Sequence, residues 1–278
     1  VCDEDGPQVH EFSLANGSLV RTVTPPAVFA NRRANFGFEA LTLDASGTVL
    51  WVANEEALTV DGPVSTPSAG TRIRLQCFDV TPDAITPGPQ HGYLTAPMHA
   101  GNITGGRSGL SAMVLLPSGR LLGMERSFAN NIFQFFETRV YEITTSGASD
   151  TGALASLLDP HTPVQKRLLY RGNQTNLEGL CLGPRVGAGY ALLGIVDDGD
   201  PISVNRLVSF VVSGPVDAPC LADFNGDGFL DFFDYDAFVA CFETGDCPPG
   251  RADADFNGDG FADFFDYDAF VEGYEGGC

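Results

Sequence analysis

No run of apolar residues in this 278-residue chain approaches the roughly 18–20 needed to span a bilayer, so the sequence offers no transmembrane helix. Familiar catalytic signatures are missing as well. Gly106-Arg107-Ser108-Gly109 continues into Leu110 where a nucleophile elbow needs a second glycine. There is no His-Glu-x-x-His zinc helix, no phosphate-binding Walker loop and no Arg-His-Gly nucleophile motif. The 4 histidines, His10, His91, His99 and His161, are dispersed and share no ligand spacing. Basic residues are scarce: 15 Lys and Arg stand against 36 Asp and Glu, a formal net charge of −21. Such a surface repels nucleic acid and anionic membranes unless cations intervene. The chain opens on Val1-Cys2-Asp3 without an initiator Met, which fits either a removed leader or a piece of a longer protein.

What is present points to a mainly β protein with a distinct acidic tail. The 33 Gly and 18 Pro follow no triplet period and suit short strands joined by many turns. Residues 220–278 hold 15 Asp and Glu against Arg251, a net of −14, which leaves −7 of the −21 for the rest. Two domains are expected, 1–213 and 220–278, joined by a short stiff linker at 214–219 that carries Gly214, Pro215 and Pro219. Cys220 and Cys278 bracket the tail, and Cys241 and Cys247 bracket the link between its halves. That placement reads as disulfide staples made in an oxidising compartment, so a secreted or cell-surface location is expected.

The tail is one unit written twice. Asp223-Phe-Asn-Gly-Asp-Gly-Phe-Leu-Asp-Phe-Phe-Asp234 returns as Asp255-Phe-Asn-Gly-Asp-Gly-Phe-Ala-Asp-Phe-Phe-Asp266, a shift of 255 − 223 = 32 residues. A hard cation takes 6 to 8 oxygens, and a twelve-residue loop supplies them from positions 1, 3, 5, 7, 9 and 12 if it turns sharply at position 6. The expected ligands are Asp223, Asn225, Asp227, the carbonyl of Phe229, Asp231 and Asp234, then Asp255, Asn257, Asp259, the carbonyl of Phe261, Asp263 and Asp266, with Gly228 and Gly260 at the turns. Two calcium ions follow from these loops. After each loop an apolar stripe at helical spacing, Tyr235, Phe238, Val239 and Phe242, then Tyr267, Phe270, Val271 and Tyr274, predicts two helices whose faces form a core or serve a partner. The arrangement resembles a dockerin, which implies a cohesin-like or cell-surface protein as partner. It departs from many dockerins at loop positions 10 and 11, which are Phe232-Phe233 and Phe264-Phe265 where small hydroxyl residues are usual.

The first 213 residues repeat more loosely. Phe38-Glu39-Ala40-Leu41, Leu177-Glu178-Gly179-Leu180 and the stretch Gly109 to Glu125 each begin two β-runs around a turn. Ser46-Gly47 and Ser118-Gly119 are the clearest turns, and a further strand follows each pair. Four-stranded blades are written this way, so the expected architecture is a partial β-propeller of about 3–4 visible blades plus the small helical module. Asn35-Phe-Gly-Phe-Glu39-Ala-Leu41, Asn54-Glu55-Glu56-Ala-Leu58, the ending Glu125-Arg126 and Asn176-Leu-Glu178-Gly-Leu180 resemble the propeller family described as having esterase-like activity of phytase.

That resemblance implies a small ester or phosphoester substrate and a site in the channel. Glu39 and Glu178 would hold a further divalent cation there, and Glu125 and Arg126 would serve as ligand and anion clamp or as an ion pair closing a blade. An acidic position of the family's third blade falls at Ala112 here. Two readings stand: a secreted hydrolase tethered by its calcium module, or a non-catalytic platform whose carboxylates are paired with arginines such as Arg33, Arg72 or Arg74.

Overall fold

A computed structural model describes the chain except for residues 4–5, 102–104, 131–135, 198–205, 215, 217–219, 227–229, 250, 252 and 277–278. The metal-ligand expectations at Asp227 and Phe229, the staple at Cys278 and most of the linker fall outside the described residues. The chain divides into two compact units, Val1–Asp217 and Ala218–Cys278.

The first unit is four antiparallel sheets in which strands follow one another in chain order, and none closes into a barrel. The first sheet holds β1 (Cys2–Asp3), β2 (Gln8–Phe12) and β3 (Leu19–Val23), followed by a 3-10 turn at Ala27–Asn31. The second holds β4 (Phe38–Leu43), β5 (Val49–Asn54), β6 (Arg72–Val80) and β7 (Ile85–Leu94). The third holds β8 (Arg107–Leu115), β9 (Leu121–Phe128), β10 (Phe136–Thr144) and β11 (Gln165–Gly172). The fourth holds β12 (Leu177–Val186), β13 (Gly189–Val196) and β14 (Arg206–Val212).

Tight turns keep these strands in order. Between β4 and β5, Asp44 Oδ1 accepts from the N–H of Thr48 at 2.7 Å and of Val49 at 2.8 Å, while Gly47 sits at φ 75°, where a side chain would strain the backbone.

Apolar side chains pack between successive sheets rather than in one central core. Val9, Phe29, Phe38 and Phe78 lie between the first and second sheets, Ile73, Leu75, Leu110 and Ile143 between the second and third, and Val114, Leu122, Leu177 and Leu192 between the third and fourth. Strands of the middle sheets are therefore buried on both faces, as β6 and β8 show, instead of alternating with solvent. First strands meet across sheets, β1 with β4, β4 with β8 and β8 with β12. The ends at which these strands begin are thereby brought together.

The second unit contains α1 (Phe232–Thr244) and α2 (Phe264–Gly276). Asp231 caps α1, accepting from Phe233 N–H, and Asp234 closes the capping box from within the helix. Gly245 at φ 73° ends α1 beside the Cys241–Cys247 disulfide. The two apolar stripes meet: Phe238 and Phe270 stack with centroids 4.1 Å apart and planes 1° apart, and Tyr235 and Tyr267 share a hydrogen bond of 2.6 Å. Among the described residues no helix is long and apolar enough to cross a membrane.

Candidate functional site

The same local device recurs at the start of three first strands. In β4 the pairing with β5 skips Glu39, in β8 the pairing with β9 skips Ser111, and in β12 the pairing with β13 skips Glu178. Each is a β-bulge, which leaves one residue unpaired and re-aims its side chain. The bulges align Phe38-Glu39-Ala40 with Leu110-Ser111-Ala112 and Leu177-Glu178-Gly179. Ser111, not Ala112, therefore matches the two glutamates, and the acidic position expected at Ala112 is a buried hydroxyl one residue earlier, donating to Met124 C=O at 3.3 Å.

Arg126, near the end of β9, joins these sheets. Its Nη2 donates to Glu55 Oε1 at 2.7 Å, and its Nη1 donates to Asn176 Oδ1 at 2.9 Å and to Glu178. Glu39 acts on it electrostatically. Asn176 also donates to Glu178 at 2.9 Å from a backbone at φ 35°, a conformation that few side chains other than Asn tolerate. Gly109 makes the approach possible, since a Cβ there would fall 2.6 Å from Glu55 Cγ.

Burial alone would lower the pKa of Arg126, but Glu55 and Glu178 outweigh it and hold the pKa above the ordinary value. Burial pushes Glu178 above the usual carboxylate range, with Arg126 pulling the other way. The structure thus brings Glu178 and Arg126 together with Glu39 nearby, and joins to them Glu55 and Asn176 from the same sequence motifs.

Glu125 is set apart. Adjacent residues of a strand face opposite sides, so Glu125 points away from Arg126 into a buried cluster. There it accepts from Tyr93 Oη at 2.7 Å and Ala96 N–H at 2.9 Å and pairs with Lys166, whose pKa burial lowers. The expectation that Glu125 and Arg126 act as a pair is corrected on this ground. Arg33 and Arg74 are spent elsewhere too, Arg33 on the carbonyls of Ala57 and Gly62 and Arg74 on Asp61.

Beside Arg126 opens a cleft of about 190 Å³ lined by Phe36, Glu55, Arg107, Arg126, Phe128, Phe136 and Asn176. Arg107 lies over the Phe36 ring at 5.0 Å and donates to Glu56 Oε2 at 2.8 Å. Glu56 has no solvent-exposed side-chain surface, and its Oε1 finds no partner among the described residues. Burial, opposed by Arg107, lifts its pKa from 4.5 to about 7. The folded chain therefore keeps this proton at pH values where the unfolded chain has released it. The stability this contributes is complete below the unfolded value and is lost as pH rises through the folded one. Between pH 5 and 8 the wild type should lose about 2 kcal/mol relative to Glu56→Gln, which titrates nothing. Parallel urea-unfolding curves across that range would refute it.

The expected cation between Glu39 and Glu178 does not fit this arrangement, because the Arg126 guanidinium already bridges Glu55 and Glu178. Among the described residues no three His, Cys, Asp or Glu side chains are gathered to hold a metal ion. In the tail the donor chemistry does suit calcium, all of it hard oxygen on a wound loop. Asp255 accepts from Gly258 and Gly260 N–H at 2.8 Å, Asn257 Oδ1 accepts from Asp259 N–H at 2.9 Å, and Gly260 turns at φ 91°. Asp234 and Asp266, at position 12 of each loop, are fully buried and close their loops on backbone N–H groups of Asn225 and Asp231, and of Phe256, Asn257 and Asp263.

Successive antiparallel sheets, packed face to face with bulged first strands around a charged cleft, define a mainly β protein of the repeated-sheet class. The chain belongs to the phytase-like family described as esterase-like activity of phytase, whose model matches residues 1–200. No curated protein and no solved structure gives a significant match.

Proposed function

We propose that residues 1–213 are a propeller-type hydrolase acting on an ester bond in the Arg107–Arg126 cleft. One observation carries this reading: three successive sheets deliver Glu55, Arg126 and Asn176 from the same end onto one aromatic-walled opening, with Glu178 bonded to both Arg126 and Asn176. In-order antiparallel sheets whose first strands touch support the propeller. Arg107 has more N–H groups than the one it gives Glu56, and such donors stabilise charge building on an ester oxygen. Glu178, partly exposed and made more basic by burial, is the group to take a proton from a water that attacks the ester carbonyl and to return it to the alkoxide oxygen as the ester C–O bond breaks, giving acid and alcohol. Arg126 and Asn176 hold that carboxylate in place.

Residues 220–278 would then be a dockerin-like module that binds two calcium ions through Asp223, Asn225, Asp231 and Asp234 with Asp227 and Phe229, and through Asp255, Asn257, Asp259, Phe261, Asp263 and Asp266. Calcium there supplies charge neutralisation and loop closure, and the module tethers the hydrolase outside the cell to a cohesin-like or cell-surface protein.

A second reading, a binding platform without catalysis, is favoured by the pairing of Glu55 and Glu178 with Arg126. Turnover of 4-nitrophenyl acetate and 4-nitrophenyl phosphate by the full chain separates the two. The hydrolase reading expects turnover of at least one, with kcat/KM lowered about 100-fold in Arg107→Gln. Turnover of neither, or turnover indifferent to Arg107, leaves the platform.

A further inference from the structure

β7 is the outer edge of the second sheet, and the connection between β10 and β11 runs across that edge. It is anchored there by two backbone bonds, Thr151 N–H donating to Gln90 C=O at 2.7 Å and Val164 N–H to Gly92 C=O at 2.9 Å. Between the anchors the connection encloses a cleft of about 250 Å³ against β6 and β7, walled by Leu94, Leu157, Leu158, Pro160 and Pro163. It shares no lining residue with the Arg107–Arg126 cleft. His161 packs so closely on Gly92 that a Cβ there would fall 2.5 Å from its Nε2, and its Nδ1 donates to Asp159 C=O at 2.8 Å.

Arg72, at the start of β6, lines this cleft half-buried, and its guanidinium makes no hydrogen bond or ion pair with any described residue. The acceptors of the adjoining corner are already engaged. The Asp61 carboxylate accepts from Arg74 Nε and Nη2 and from Leu157 N–H, and the Gly62 carbonyl accepts from Arg33 Nη2 at 2.9 Å. Gly62, at φ 111°, lets the guanidinium in: a Cβ there would lie 3.8 Å from Arg72 Nη1 and 3.3 Å from Leu158 Cδ2. Asp159 also lines the cleft, but it is exposed and forms no ion pair with Arg72. A half-sheltered charge without a partner is unfavourable, and it stands out in a chain with 36 acidic residues to 15 basic ones.

We infer that Arg72 and its apolar walls form a second ligand site, one that takes a small monocarboxylate with an aromatic or branched aliphatic body. A guanidinium fork matches the two oxygens of a carboxylate. The walls of leucine and proline take the apolar body, and Leu94 and Leu158 stand exposed until it arrives. The cleft has room for about eight waters at roughly 30 Å³ each, which is the scale of one ring with its carboxylate. One guanidinium offsets one negative charge, whereas a dianionic phosphate would keep a surplus charge on a chain of net −21. The site does not depend on the hydrolase reading.

The probes are benzoate, its uncharged counterpart benzamide, and phenyl phosphate, each titrated calorimetrically into the full chain at low ionic strength. Benzoate should bind saturably, and the other two at least tenfold more weakly. Arg72→Gln should weaken benzoate at least tenfold. Leu158→Glu, at an exposed position beside Arg72 Nη1, should do the same by giving the guanidinium a carboxylate of its own, so a misfolded Arg72 variant does not remove the test. Asp159→Asn should leave benzoate binding unchanged or tighten it, and Arg107→Gln, in the other cleft, should leave it unchanged. Benzoate that fails to saturate overturns the inference, as does benzamide or phenyl phosphate that binds as well as benzoate. Benzoate binding indifferent to both Arg72→Gln and Leu158→Glu overturns it too. A loss in Arg107→Gln would place the carboxylate in the other cleft and overturn it equally.

Discussion

Asp61→Ala should destabilise the first unit by about 3–5 kcal/mol, more than any substitution in the cleft, because it strands a buried guanidinium. Arg74 and Asp61 are both fully buried and meet through two parallel hydrogen bonds, Nε to Oδ2 at 2.8 Å and Nη2 to Oδ1 at 2.7 Å. The rest of the guanidinium is also satisfied, Nη1 donating to Gln90 Oε1 at 2.7 Å and Leu154 C=O at 3.1 Å. Asp61 in turn accepts from Leu157 N–H at 2.8 Å. The pair therefore ties β6 of the second sheet to the long connection between β10 and β11 of the third. Removing the carboxylate leaves Arg74 charged, desolvated and unmatched, which is where the large cost arises.

Asp61→Leu combined with Arg74→Met should recover much of the loss, since an apolar pair avoids the desolvation of both ions. Trp51 is the sole tryptophan and lies on β5 of the second sheet, so its fluorescence in urea follows this unit without signal from the tail. A midpoint shift in Asp61→Ala equivalent to less than about 1 kcal/mol would show that the pair contributes little.

Much of the candidate site was readable from the repeated motif, and what was not depends on pairing across sheets. Phe38-Glu39-Ala40 and Leu177-Glu178-Gly179 announce equivalent positions because small residues flank an acidic one before a β-run. The third member was hidden. Ser111 matches only once strand register shows which residue of β8 is skipped, and register is invisible without the partner strand. Arg126 was visible as a neighbour of Glu125, but sequence adjacency misleads on a strand, where neighbours diverge. Its true partners Glu55 and Glu178 are 71 and 52 residues away.

Glu56 gave no signal of its own beside Glu55. Its interest arises from complete burial and an orphaned oxygen, both properties of the packed state. The tail was the reverse case, since its loop spacing and helical stripes are local. Tyr235 and Phe238, and Tyr267 and Phe270, could each be placed on an apolar stripe from periodicity alone, while the choice between a shared core and a partner surface was made by the packed structure. Phe233 and Phe265 lie off those stripes on the helical wheel, whereas Phe232 and Phe264, each seven residues before the valine of its stripe, lie on them yet are 66–67 % exposed at the first position of their helices.

Phe238→Ala is expected to unfold the tail in chelator and to spare it when calcium is supplied. Phe238 and Phe270 are both fully buried, and their stacked pair is the centre of the unit. Phe224 lies edge-on to Phe238 at 5.1 Å and Phe256 edge-on to Phe270 at 5.4 Å, so truncating one ring leaves a void bounded by aromatic surface. Large-to-small changes at such positions cost about 3–5 kcal/mol. A core of this size rarely supplies more than about 3–5 kcal/mol in total. Self-repulsion among acidic groups, a net of −14 over residues 220–278, reduces that margin further.

Two terms act in the opposite direction: the Cys241–Cys247 disulfide, which remains in the variant, and any ligand that binds only the folded loops. A calcium ion at 100 times its dissociation constant adds about 2.7 kcal/mol, and two such ions offset the lost ring. The helical circular dichroism of Phe238→Ala should therefore fall in chelator and return with calcium, while the Trp51 signal of the first unit stays unchanged throughout. Full helicity in chelator would mean that the stacked rings are not what holds the unit together. Lost helicity that calcium does not restore would leave the ring stack intact as an explanation and remove the two loops as calcium sites.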